Sequence, residues 1–63
     1  MTKAKRFENF AKEIAASNTN EEREAILYRA DGVDMAYRRE QISWEQHEIL
    51  FTLCGKMDGG AKA

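Results

Sequence analysis

Residues 43–55 read Ser-Trp-Glu-Gln-His-Glu-Ile-Leu-Phe-Thr-Leu-Cys-Gly, and this stretch decides the fold. Ser43 with Gln46 three positions on is the opening of a capped helix, and Gly55 suits the left-handed position that closes one. At 100° per residue, Trp44, His47, Ile49, Leu50, Phe51, Leu53 and Cys54 sweep an arc of roughly 220°, about twice what one packing contact occupies. A helix with that much apolar circumference has two neighbours to satisfy. They come from the rest of the chain or from a second copy of it.

Working back from Ser43, residues 40–42 make a turn, and before it lies a second helical pattern. Ser17, Asn18, Thr19 and Asn20 form a polar cluster in which Thr19 caps a helix and Glu22 completes a capping box. The inner stripe of that helix is Ile26, Ala30, Val33 and Tyr37, flanked by Leu27, with Asp34 and Arg38 as an i,i+4 ion pair. Gly32 costs about 1 kcal/mol inside a helix. Asp31-Gly32 offers an end to one helix with Asp34 capping another, but because the stripe keeps its phase across the glycine, one continuous helix to about Arg39 is the preferred reading. On its other side Ala25, Tyr28, Gly32, Met35 and Ala36 make a smooth strip that admits the close approach of another helix.

The first segment, Lys3 to Ser17, places Ala4, Phe7, Phe10, Ala11, Ile14 and Ala15 on one face, with Glu8 and Lys12 as a favourable pair. With no proline and no sustained alternation of period two, the fold class is all-α. It consists of three short helices, an amphipathic first helix and an antiparallel hairpin of the second and third, with dimerisation into a bundle as the expected completion. Residues 1–57 form a single domain, and residues 58–63 are expected to be a flexible tail.

The whole chain has 63 residues. A fold of that size buries apolar area equivalent to about 95 kcal/mol, and ordering it costs about as much. Association, as a homodimer or with a larger protein partner, is therefore the default expectation. The single Cys54 excludes an internal disulfide and fits a reducing, cytoplasmic setting. No apolar run approaches the ~20 residues of a spanning helix, and Glu8, Lys12 and Glu13 interrupt what a signal peptide would keep apolar. Tiny helical chains of this kind suit a bacterial or phage origin.

Chemistry is sparse. His47 and Cys54 lie seven apart, about 10 Å along one helix, too far for nucleophile and base. One Cys and one His fall short of a structural zinc set, and Trp44 stands where a di-metal Glu-x-x-His motif needs its glutamate. Glu21 with Glu24 and Glu45 with Glu48 sit on charged faces, and no phosphate-binding glycine loop or nucleophile elbow occurs. Catalysis, metal and cofactor are not expected. A reading helix at 43–54 would present Glu45 and Glu48 to DNA, which opposes helix-turn-helix recognition. Lys3, Lys5, Arg6, Arg38 and Arg39 remain as phosphate contacts for a dimeric DNA-binding accessory protein, the alternative reading, although the net charge of -1 provides no strong field. The favoured function is a non-enzymatic adaptor, regulator or inhibitor that binds a larger protein through Tyr28, Met35, Trp44 and Leu53, side chains of the kind interfaces prefer.

Overall fold

The computed structural model describes residues 2–59, and their side chains as far as Gly55. Helix α1 spans Lys3–Ala16. Thr2 caps it, its Oγ1 accepting the Lys5 N–H at 3.1 Å, and Ser17 closes it by donating its hydroxyl to the Ile14 carbonyl. Phe10 and Ile14 are buried, Phe7 and Ala11 pack beside them, and Ala4 and Ala15 stay exposed. Glu8 receives Lys12 Nζ at 3.2 Å and Lys5 Nζ at 3.7 Å. The Lys12 hydrogen bond and then the Lys5 charge hold its carboxyl below the ordinary value of 4.5.

The predicted second helix is broken in two. Helix α2 is Asn20–Tyr28 and helix α3 is Val33–Arg38. Thr19 caps α2 as expected, accepting the Glu22 N–H at 3.1 Å, while Glu22 Oε1 reaches back to the Asn18 N–H at 2.9 Å. Arg29 then turns extended, with ψ at 166°. The Gly32 N–H donates to the Arg29 carbonyl, and the Gly32 carbonyl starts α3 by accepting the Ala36 N–H, both at 2.9 Å. Gly32 is buried, and a Cβ there would overlap the Ile26 carbonyl oxygen and lie 3.0 Å from that of Arg29. The close approach that explains this glycine is made by the last turn of α2 itself, not by another helix. Residues 29–32 replace about one helical turn, so Val33 and Ala36 return to the core in phase, and the stripe looked unbroken. Ala30 is exposed in the corner.

Arg29 fastens this corner to α1. Its Nη2 donates to both oxygens of Glu13 at 2.9 and 2.8 Å, and its Nε lies 3.0 Å from Asp31. Nearby Arg23, though 7% exposed, donates to Ser17 Oγ and to Asn20 Oδ1. Neither tie was visible in the sequence pattern.

After α3 the chain turns with Glu40 at φ 60°. The Gln41 N–H returns to the Ala36 carbonyl at 2.7 Å and the Glu40 N–H to Tyr37 at 2.9 Å, a C-terminal closure that usually carries glycine. Helix α4 spans Trp44–Gly59. Both bonds of the Ser43–Gln46 box are present, at 2.9 and 3.1 Å. The helix runs through Gly55 and does not stop there, since no described glycine adopts positive φ. It includes residues 58 and 59, and the remainder of the expected tail lies outside the described residues.

Phe10, Ile14, Ile26, Leu27, Val33, Ala36, Ile42, Leu50 and Cys54 form one buried cluster to which all four helices contribute. Tyr37 pairs with His47 and Tyr28 with Phe51, so α2 and α3 run antiparallel to α4 as predicted. Helix α1 lies on α4 and is not detached from the hairpin. The accessible surface of 4320 Å² is close to the roughly 4,100 Å² that size scaling gives a compact monomer of 7.2 kDa. The second neighbour that α4 requires is thus internal. Among the described residues no helix is long and apolar enough to cross a membrane.

Candidate partner-binding site

The antiparallel register of α2 and α3 on α4 lines up four rings. Tyr37 and His47 have centroids 4.7 Å apart, His47 and Phe51 4.5 Å, and Phe51 and Tyr28 5.8 Å in an edge-to-face arrangement. His47 is held between two rings with 17% of its side chain exposed. Its Nε2 is 4.0 Å from Asp34 Oδ1, and its buried Nδ1 has no hydrogen-bond partner. The row is packed in the middle and open at its Tyr28 end, while Tyr37 at the other is half-buried. Tyr28 is 62% exposed, and Trp44, 57% exposed, lines a cleft that Tyr37 also borders.

Trp44 borders a cleft of about 580 Å³ whose lining also includes Lys3, Tyr37, Arg38, Glu40, Ile42 and Ser43. The N-terminal ends of α1 and α4 meet the end of α3 here. Arg38 Nε is fixed on Asp34 Oδ2 at 3.0 Å, the predicted i,i+4 pair, while the side chain stays 68% exposed. A second hollow, of about 360 Å³ between α1 and α2, is occupied along its wall by the Arg29–Glu13 pair and belongs to the scaffold.

The four residues expected to bind a partner are spread over more than one face. Trp44 and Leu53 are nine positions apart on α4, which is 180° around the helix. Leu53 is half-buried against the core on the opposite flank from Trp44, and Met35 is half-buried on α3. Tyr28 packs on Phe51 of α4, and Trp44 lines a cleft with Tyr37 and Arg38 of α3. Ile49, 49% exposed, was not among the expected contacts, although its place at the edge of the apolar arc was the signal for it. Of the basic residues, Lys3 and Arg38 meet in the cleft. Lys5 is engaged with Glu8, Arg6 lines a separate hollow near Asp31, and Arg39 is exposed in the turn. The five therefore form no single patch.

Among the described residues no three His, Cys, Asp or Glu side chains are grouped as metal ligands, and Cys54 is buried in the core at 4% exposure. The chain matches no protein-family model, and comparison with curated proteins and with solved structures finds no match.

Proposed function

We propose that this chain is a small non-enzymatic recognition module that binds a larger protein through the surface where α4 packs on α2–α3, which carries Tyr28 and Trp44. One observation carries the reading. Tyr28 and Trp44 are large amphipathic side chains left exposed, Tyr28 as one end of a packed row of rings and Trp44 in the cleft that Tyr37, the other end of the row, also lines. Such preorganised rings lose little side-chain entropy on contact and are the residues that dominate interface energies. Adaptor, regulator and inhibitor are the roles open to a chain that works this way, and a reducing compartment suits its lone thiol.

The reading is tested by affinity capture from a native lysate with the wild-type chain and with Tyr28→Ala/Trp44→Ala, whose fold is checked by circular dichroism. A protein retained by the first and lost by the folded variant is the expected result. Retention that the double substitution leaves unchanged, or no retained protein, defeats the proposal. The meeting of Lys3 and Arg38 in one cleft is the observation that favours the nucleic-acid alternative. In a mobility-shift titration that alternative requires binding that weakens steeply with salt and disappears in Arg38→Gln/Arg39→Gln.

A further inference from the structure

We propose that the outer face of α4 takes a basic segment of a partner protein, an arginine stacking on Trp44 and pairing with Glu48, and a second cation whose stem lies along Ile49 to reach Glu45. This rests on the protein-recognition reading above and names the chemistry of the partner. The buried side of α4 is set by Leu50 and Cys54, at 0% and 4% exposure. Turned away from them, Trp44, Glu45, Glu48, Ile49 and Thr52 are all exposed and fall within an arc of roughly 140°. Within that arc Trp44 with Glu48, and Glu45 with Ile49, are i,i+4 neighbours whose Cβ atoms stand about 5–6 Å apart.

Folding does not account for this face. Neither Trp44 nor Ile49 belongs to the core cluster or to the side chains packed against it. Isoleucine is also a poorer helix former than the straight-chain residues that suit a solvated position. Glu45 lies in the first turn, where the helix dipole favours a carboxylate, but Glu48 lies past the reach of that effect.

The charge balance selects a cationic occupant. Residues 40–55 contain Glu40, Glu45 and Glu48 and no lysine or arginine. Among the described residues the lysine and arginine ion pairs join Lys5, Lys12, Arg29 and Arg38 to Glu8, Glu13, Asp31 and Asp34, and none engages Glu45 or Glu48. Of the two cations in the cleft beside Trp44, Arg38 is held by Asp34, and Glu40 of the same lining offsets Lys3. The two α4 carboxylates are left over. A planar guanidinium fits them best, stacking on the indole face while its N–H groups reach Glu48. The methylene stem of a second basic side chain covers Ile49 with its head at Glu45. A nucleic acid would bring phosphates against the same carboxylates and be repelled.

The test selects displayed random linear peptides on the immobilised full chain and measures the enriched peptides, labelled with a fluorophore, by anisotropy against the wild-type chain and its variants. The expected result is enrichment of Arg and Lys beside apolar residues and affinity that falls as salt is raised. Binding should weaken about 30-fold in Trp44→Ala and about fivefold in Glu48→Gln. Glu48→Lys should weaken it further and recover it when the basic residues of the peptide are replaced by Glu. Both Glu48 substitutions change an exposed side chain outside the core cluster, so the melting temperature should stay within a few degrees of wild type and a lost fold is not the cause. Enriched peptides that lack basic residues, or whose binding survives Trp44→Ala and Glu48→Lys, overturn the assignment of this face and leave the recognition reading intact. No enriched peptide also overturns the assignment, and the recognition reading then stands or falls on the lysate capture. Sedimentation at the mass of two chains, returned to one by Glu48→Lys, gives the face to a second copy and overturns the assignment as well.

Discussion

Gly32 sits where two backbone carbonyls converge, and neither belongs to a flexible side chain. Gly32→Ala should therefore destabilise the fold by about 1–3 kcal/mol, the range for overpacking a closed site, read as a lower urea midpoint at unchanged slope. Gly55 is the internal contrast, with open space where its Cβ would lie. Glu40 presents the opposite case, a side chain where the turn favours none. Its φ of 60° is a left-handed conformation that costs an L-residue about 1–2 kcal/mol. Glu40→Gly should raise stability by about 1 kcal/mol, measured by the same denaturation. A lower midpoint in that variant would mean that the Glu40 carboxylate contributes more than its backbone strain removes. Composition flagged Gly32 as a weak point, but its reason was illegible, because periodicity records which way side chains face and not how closely two carbonyls approach.

At the scale of elements, the caps were legible because each is a contact three residues long. Thr19 with Glu22 and Ser43 with Gln46 form the bonds their spacing predicts. A break at Asp31-Gly32 was legible as an alternative, but the fastening of the α2–α3 corner was not, because Glu13 lies sixteen positions away from Arg29 on another helix. Removing that tie should be felt at the corner and not at either cap. A double-mutant cycle on Arg29→Ala and Glu13→Ala should give a coupling of about 1 kcal/mol, at the upper end for partly exposed pairs because one nitrogen serves both oxygens. The coupling should shrink in high salt. A coupling near zero would leave Gly32 and the turn hydrogen bonds as the sufficient cause of the break. The candidate site divides in the same way. Trp44 and Tyr28 could be read as interface residues from type and helical phase. The cleft that joins Trp44 to Lys3 depends on how α1 lies on α4, which no local pattern encodes.

For the whole molecule, the deciding quantity is what remains uncovered once four helices have closed. Stability arithmetic on a chain of 63 residues balances near zero, and that balance makes association with a second copy or a larger partner the default expectation. The structure supplies the missing neighbour internally. Leu50 and Ile42, at 0% and 1% exposure, are sealed by this chain alone, and the open apolar groups, Tyr28, Trp44 and Ile49, lie outside the core cluster. A bundle that needed a partner to fold would expose core positions, and its melting temperature would rise with concentration by mass action. Here the midpoint should be independent of concentration, and sedimentation should report the mass of one chain at the concentrations used. Trp44→Ala should leave that midpoint within a few degrees of wild type, as expected for a half-exposed side chain outside the core. A midpoint that climbs with concentration and falls sharply in Trp44→Ala would assign the indole to self-association, and the surface around Trp44 would then be covered by a second copy of this chain.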